Sequence, residues 1–269
     1  MEIIQREQRL AAMIGADRME SIMKKAEARE AIVERYMKQS DSFKEWNALM
    51  GMFQGSIQNN WLFANGNYDL TFQNLVKDID ETLCKTITKT AGGELLKLCE
   101  DMTSRNWMWG IVEKWKSTGM SRERAIDMVA YIIGKREEMC LSLAECMAFK
   151  FKGREWMHKR TGEQQAVELN IERKTKVITG SCNIANTVMC ITAMTTPMDI
   201  EWIEEIRKLP KGEYEPAKWY DFQGKFKVKA FSQTSDIVFT DDSTLERFTN
   251  YVKKGLKMKA QMNKNRQTA

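Results

Sequence analysis

The sequence predicts an α+β protein: a mainly helical N-terminal domain over about residues 1–150, then a smaller α+β domain with short antiparallel strands and a C-terminal amphipathic helix. Three observations carry this expectation. All three prolines, Pro197, Pro210 and Pro216, lie close together late in the chain, so the first 196 residues lack the residue that most disrupts helices. Apolar residues recur there at three- and four-residue spacing, the period of a helix face. After Phe149 the period shortens to two, with aromatic and β-branched residues between turn signals.

The elements follow in order. Residues 2–14 form a first helix, split by Gly15-Ala16-Asp17 from a second. Ile22, Met23, Ala26, Ile32, Val33, Tyr36 and Met37 fall on one face of that second helix. Ser42-Phe-Lys-Glu45 reads as a capping box opening a separate helix toward Phe53, and Asn65-Gly66-Asn67 as a turn. Leu75, Val76, Ile79 and Leu83 mark a helix over about 70–88, broken at Gly92-Gly93 and resumed from Glu94 to Met102. Trp107, Ile111 and Trp115 share a helix face. Ser117-Thr118-Gly119 ends that helix and Ser121 caps the next, so residues 122–149 read as one helix or two, with Gly134 the weak point.

In the second half, Val167, Leu169 and Ile171 alternate with polar residues as a strand, with 176–179 as its return partner. Ser181 to Thr195 reads as a buried helix. Thr196-Pro197 starts another, which Leu209-Pro210 ends, and 210–218 is a connector. Trp219–Phe222, Lys225–Phe231 and Asp236–Thr240 form a meander. Ser243-Thr-Leu-Glu246 caps a final helix with an apolar stripe of Leu245, Phe248, Val252 and Leu256, and residues past about 260 are expected to fray.

Composition narrows the function classes. The 269 residues are 43% hydrophobic and 29% charged, which is globular rather than disordered. The 19 methionines suit adaptable packing. Six scattered cysteines and one histidine, His158, show no zinc-ligand spacing. The N-terminus Met-Glu-Ile-Ile-Gln-Arg-Glu puts charge where a signal peptide needs an apolar core, so an intracellular, reducing compartment is expected. Two uncharged stretches, 46–68 and 177–198, carry too many Asn, Gln and Thr for a membrane span, and read as buried helix or interface.

Charge is unevenly placed. Residues 247–269 hold seven Lys/Arg and no acid, while the remainder holds 35 basic and 37 acidic residues. A near-neutral body with a cationic end suits a polyanionic partner. Candidate binding residues fall in four segments. The first is Lys150, Lys152, Arg154, Trp156, Lys159 and Arg160, interleaved with Phe149 and Phe151. The second is Arg173, Lys174 and Lys176. The third is Lys225, Lys227 and Lys229, which as a strand would present three ammonium groups on one face and bury Phe226 and Val228. The fourth is Lys253, Lys254, Lys257, Lys259, Lys264 and Arg266 on the final helix, expected at a fixed place beside the third.

Catalytic signals are sparse. Glu172-Arg-Lys174 matches half of a metal-nuclease pattern, with Glu168 as its second carboxylate. His158 has no neighbouring acid to orient it. Asp78-Ile-Asp80 and Asp241-Asp242 read as helix-surface and capping residues rather than metal ligands. The turn at 117–121 before Arg122 and Arg124 resembles a helix-turn-helix, but the apolar Ile126, Val129, Ile132 and Ile133 fit an ordinary αα-hairpin. No phosphate-binding glycine loop is present.

The expectation is therefore a non-catalytic, self-associating structural protein without cofactor or metal, binding RNA or an anionic membrane. By compositional analogy it is of viral matrix or nucleocapsid type. The alternatives are a metal-dependent nuclease using Glu168, Glu172 and Lys174, and an adaptor binding host proteins through its helical half. A nucleocapsid type requires one basic groove joining all four segments; a matrix type requires a flat basic face.

Overall fold

The computed structural model describes residues 2–51, 68–103, 105–148, 171–178, 184–195, 217–231 and 234–267. The fold is α+β, with a helical N-terminal part and one four-stranded antiparallel sheet. Packing divides the chain into two compact units, Met1–Gly93 with Asn106–Gly134, and Glu94–Arg105 with Lys135–Ala269. They interleave along the sequence; residue 150, where the sequence places a boundary, lies outside the described residues.

The first unit is helical. Helices α1 (Glu2–Ile14) and α2 (Ala16–Gly51) meet at Gly15, whose φ of 100° belongs to the region that favours glycine. Helix α2 runs unbroken through Ser42, so the expected capping box does not start a new helix. Residues 37–44 contain neither Gly nor Pro, and a local Ser/Asp pair weakens a helix without ending it. Helix α3 (Tyr68–Thr103) belongs to this unit as far as Gly93, where φ 52° and ψ −143° interrupt it at the expected break. Helices α4 (Trp107–Trp115) and α5 (Arg122–Gly134) complete the unit. Asn106 caps α4 by accepting from the Trp109 N–H at 3.0 Å, and Ser121 caps α5 by accepting from the Arg124 N–H at 3.2 Å.

Met19, Ile22, Met23 and Ala26 of α2 are buried, as are Leu83, Ile87, Ile111, Val112, Ile126, Val129 and Ile132. Inside this apolar body sits one ion pair. Arg29 Nε and Nη2 donate to the two oxygens of Asp80 at 2.7 and 3.0 Å, and the Met120 N–H donates to Asp80 Oδ1 at 3.3 Å. Asp80, expected on a helix surface, is instead buried and anchors the helices through Arg29. Arg122 is equally committed: its guanidinium donates to Glu27 at 2.5 Å and Glu7 at 2.8 Å, and its N–H donates to Glu30 at 2.8 Å. These contacts tie α5 to α1 and α2, which explains a basic helix start without a DNA groove.

The second unit holds the remainder of α3, helices α6 (Arg136–Ala148), α7 (Ile184–Thr195) and α8 (Asp242–Gln267), and strands β1 (Lys174–Ile178), β2 (Trp219–Phe222), β3 (Phe226–Ala230) and β4 (Thr234–Phe239). The uncharged α7 is buried at Val188, Cys190, Ile191 and Met194, as its composition predicts. No helix among the described residues is long and apolar enough to cross a membrane. Gly255 of α8 lies against α6 so closely that a Cβ there would sit 2.8 Å from the Glu145 nitrogen.

The meander β2-β3-β4 forms as expected, with small shifts at its ends. Strand β1 pairs with β4, giving the order β1-β4-β3-β2. Its expected partner strand at 167–171 lies outside the described residues apart from Ile171, which is not in a strand. Residues 223–225 form the three-residue β2–β3 connection, in which Gln223 (φ 55°) and Gly224 (φ 65°) are both left-handed. Asp221 supports it by accepting from the Gly224 N–H at 2.8 Å.

The cap of α8 is Asp241 rather than Ser243. Its carboxylate accepts from the Thr244 N–H at 2.8 Å and from the hydroxyls of Ser243 and Thr244 at 2.6 and 2.7 Å. Helix α8 continues to Gln267 instead of fraying past 260. Residues 256–267 are rich in Leu, Lys, Met, Ala and Gln, all good helix formers, with no Gly or Pro among them. The expected turn at 65–67, the helix after Pro197 and the connector at 210–216 lie outside the described residues.

Candidate polyanion-binding face

Alternation along each strand divides the sheet into two faces. Phe226, Val228, Ile237 and Phe239 point inward and are at most 1% exposed. Phe239 meets Phe248 of α8 with ring centroids 5.3 Å apart, so α8 lies on the inner side. The other residues of each strand form the outer face. The register there places Lys174, Val238, Lys227 and Asp221 in one row across the four strands, and Lys176, Asp236, Lys229 and Trp219 in the next.

Four of the sequence-predicted lysines therefore share one face. Lys176 lies 3.4 Å from Asp236 and Lys227 lies 3.4 Å from Asp221, while Lys174 and Lys229 have no carboxylate partner among the described residues. Two carboxylates against four ammonium groups leave the face net cationic. Lys225 sits in the β2–β3 turn rather than on the strand, and its backbone N–H donates to Phe222 O at 3.0 Å.

Arg173 does other work. Its guanidinium donates to the carbonyls of Phe239 and Thr240 at 3.0 and 3.2 Å and lies 3.5 Å from Asp242, clamping the junction of β4 and α8. On α8, Lys253, Lys254 and Lys257 are exposed, with Lys254 4.0 Å from Glu137. Lys259, Lys264 and Arg266 lie on the same helix. Helix α8 meets the sheet on its inner side through Phe248, whereas the lysine face is the outer side, so the helix does not take its expected place on the face of Lys227 and Lys229. Phe248 is fully buried against Phe239, which ties the helix to that side.

Lys150, Lys152, Arg154, Trp156, Lys159, Arg160, His158 and Glu168 lie outside the described residues. Glu172 is exposed just before β1, and no group of three metal-ligating side chains occurs among the described residues.

Two contributors were not singled out from sequence, Trp219 and Phe231. They are 40% and 37% exposed on the outer side. Phe231 follows Lys227 and Lys229 at two-residue spacing, so strand parity alone would have found it.

Comparison with protein-family models, curated proteins and solved structures finds no match to this chain.

Proposed function

We propose that this is a non-catalytic, intracellular structural protein that binds a polyanion, RNA or an anionic lipid surface, through the outer face of its sheet. The observation that carries the reading is the co-facial set Lys174, Lys176, Lys227 and Lys229. A basic face on the outer side of the sheet is the feature that supports a matrix-type architecture. Self-association through the helical half is supported by the exposed Ile3 and Ile4, at 47% and 60%; Ile3→Glu/Ile4→Glu should shift the protein to a smaller species in sedimentation.

The test is binding to single-stranded RNA and to phosphatidylserine vesicles across a salt series. Each ammonium group engaged on single-stranded RNA contributes about 0.7 to the log-log salt slope. Lys174→Gln/Lys229→Gln should lower that slope by about 1–2 and weaken binding. Binding to neither ligand at low salt would sink the reading.

A further inference from the structure

The outer face carries aromatic rings as well as charge, and their placement is ordered. Lys229 Nζ lies 5.7 Å from the centroid of Trp219 and 5.6 Å from that of Phe231. Lys176 Nζ lies 5.4 Å from the centroid of the same Phe231 ring. Trp219, Lys229, Phe231 and Lys176 thus alternate ring and cation along a bent line: Trp219 pairs with Lys229 across β2 and β3, Phe231 lies two residues on from Lys229 past the end of β3, and Lys176 of β1 reaches the same ring, with Asp236 between the two lysines in their row. The inner face has its own aromatic layer, so these two rings are not needed to cover the core. Cation–π contact holds them in place at modest cost and leaves both rings substantially exposed.

We infer that this line is a stacking platform for single-stranded nucleic acid, with bases on Trp219 and Phe231 and phosphates on the intervening ammonium groups. The inference rests on the polyanion reading above and names its ligand. Unpaired bases offer a free π-face whatever their identity, so an alternating ring–cation line binds a strand without reading its sequence. Duplex bases have no such free face. Asp236 in the middle of the face and Asp221 at its edge, each 3.4 Å from a lysine, can also accept from an exocyclic base amine.

The experiment compares a single-stranded RNA 12-mer, an abasic oligonucleotide of the same length and charge, the matching duplex, and phosphatidylserine vesicles. The probe proteins are wild type, Trp219→Leu and Phe231→Leu, which keep apolar bulk and remove the ring, and Trp219→Phe, which keeps one. Wild type should bind the 12-mer at least tenfold more tightly than the abasic strand. Each Leu variant should lose roughly tenfold on the 12-mer alone, and Trp219→Phe should recover most of that loss. Equal binding of 12-mer and abasic strand would overturn stacking while leaving the polyanion reading intact. Tight vesicle binding that the Leu variants retain, with weak binding of the 12-mer, would assign the face to lipid and also overturn stacking. Binding of none of the four ligands would overturn both readings.

Discussion

Asp80 and Arg29 show how one pair of side chains can govern a whole helical unit. Both are largely buried, at 6% and 14% side-chain exposure, and each satisfies the other through two hydrogen bonds. Asp80→Asn or Arg29→Met would strand the remaining charge in an apolar interior. Removing one partner of such a pair costs about 3–5 kcal/mol, so urea unfolding of either variant should show a loss of that order. Asp241 makes a prediction of different form. Hydrogen bonds from Ser243 and Thr244 hold its carboxyl below the ordinary 3.8, at about 2. A depressed folded-state value means the contribution is intact above pH 4 and is lost as pH falls toward 2. Asp241→Ala should therefore flatten the acid-unfolding curve between pH 4 and 2 without changing its shape near neutrality. Burial pushes the thiols of Cys84 and Cys140 up to about 12, which keeps them protonated. At pH 8 the folded protein should leave both unmodified by iodoacetamide, and urea should expose them, as counted by mass spectrometry. The Arg29–Asp80 pair was not legible in sequence, because it joins residues 51 apart. Asp241 as a helix cap was legible as a role; its displacement of Ser243 as the cap was not.

Among helices and strands, what sequence revealed was period, and what it concealed was contact. The Trp107–Ile111–Trp115 face, the break at Gly93 and the meander all follow from spacing and from residues that fix φ. The continuity of α2 through Ser42 did not, since a capping box is only a local preference that a long helix can override. Two helical glycines make the same point quantitatively. In α4, a Cβ at Gly110 would meet nothing within 4 Å, so Gly110→Ala should stabilise by roughly 0.5–1 kcal/mol through helix propensity. In α8, a Cβ at Gly255 would lie 2.8 Å from the Glu145 nitrogen and 3.0 Å from the Leu141 oxygen, both backbone atoms of α6 that cannot rotate away. Gly255→Ala should therefore destabilise by about 1–3 kcal/mol despite the same gain in propensity. Thermal denaturation of the two variants should move in opposite directions.

For the molecule as a carrier of charge, the sequence located the cations and the sheet decided which of them share a face. Strand parity gathers Lys174 and Lys176 from one segment with Lys227 and Lys229 from another. The core aromatic Phe248 places α8 on the other side. This separation determines how the basic tail must be tested. Deleting 247–269 would remove Phe248 and Val252, both fully buried, and any loss of binding would report unfolding. Truncation after Lys257 keeps the buried Phe248 and Val252 of α8 and removes only Lys259, Lys264 and Arg266 among the tail cations. At physiological salt, screening over about 8 Å weakens the influence of those charges on a ligand held across the sheet. The truncated protein should thus keep its fold, its affinity for single-stranded RNA within about threefold, and a salt slope within about one unit of wild type. Lys174→Gln/Lys229→Gln removes fewer charges and should cost more of both. The opposite ranking, with truncation abolishing the salt dependence and the sheet variant preserving it, would move the binding site to α8 and leave the lysine face as protection for the sheet alone.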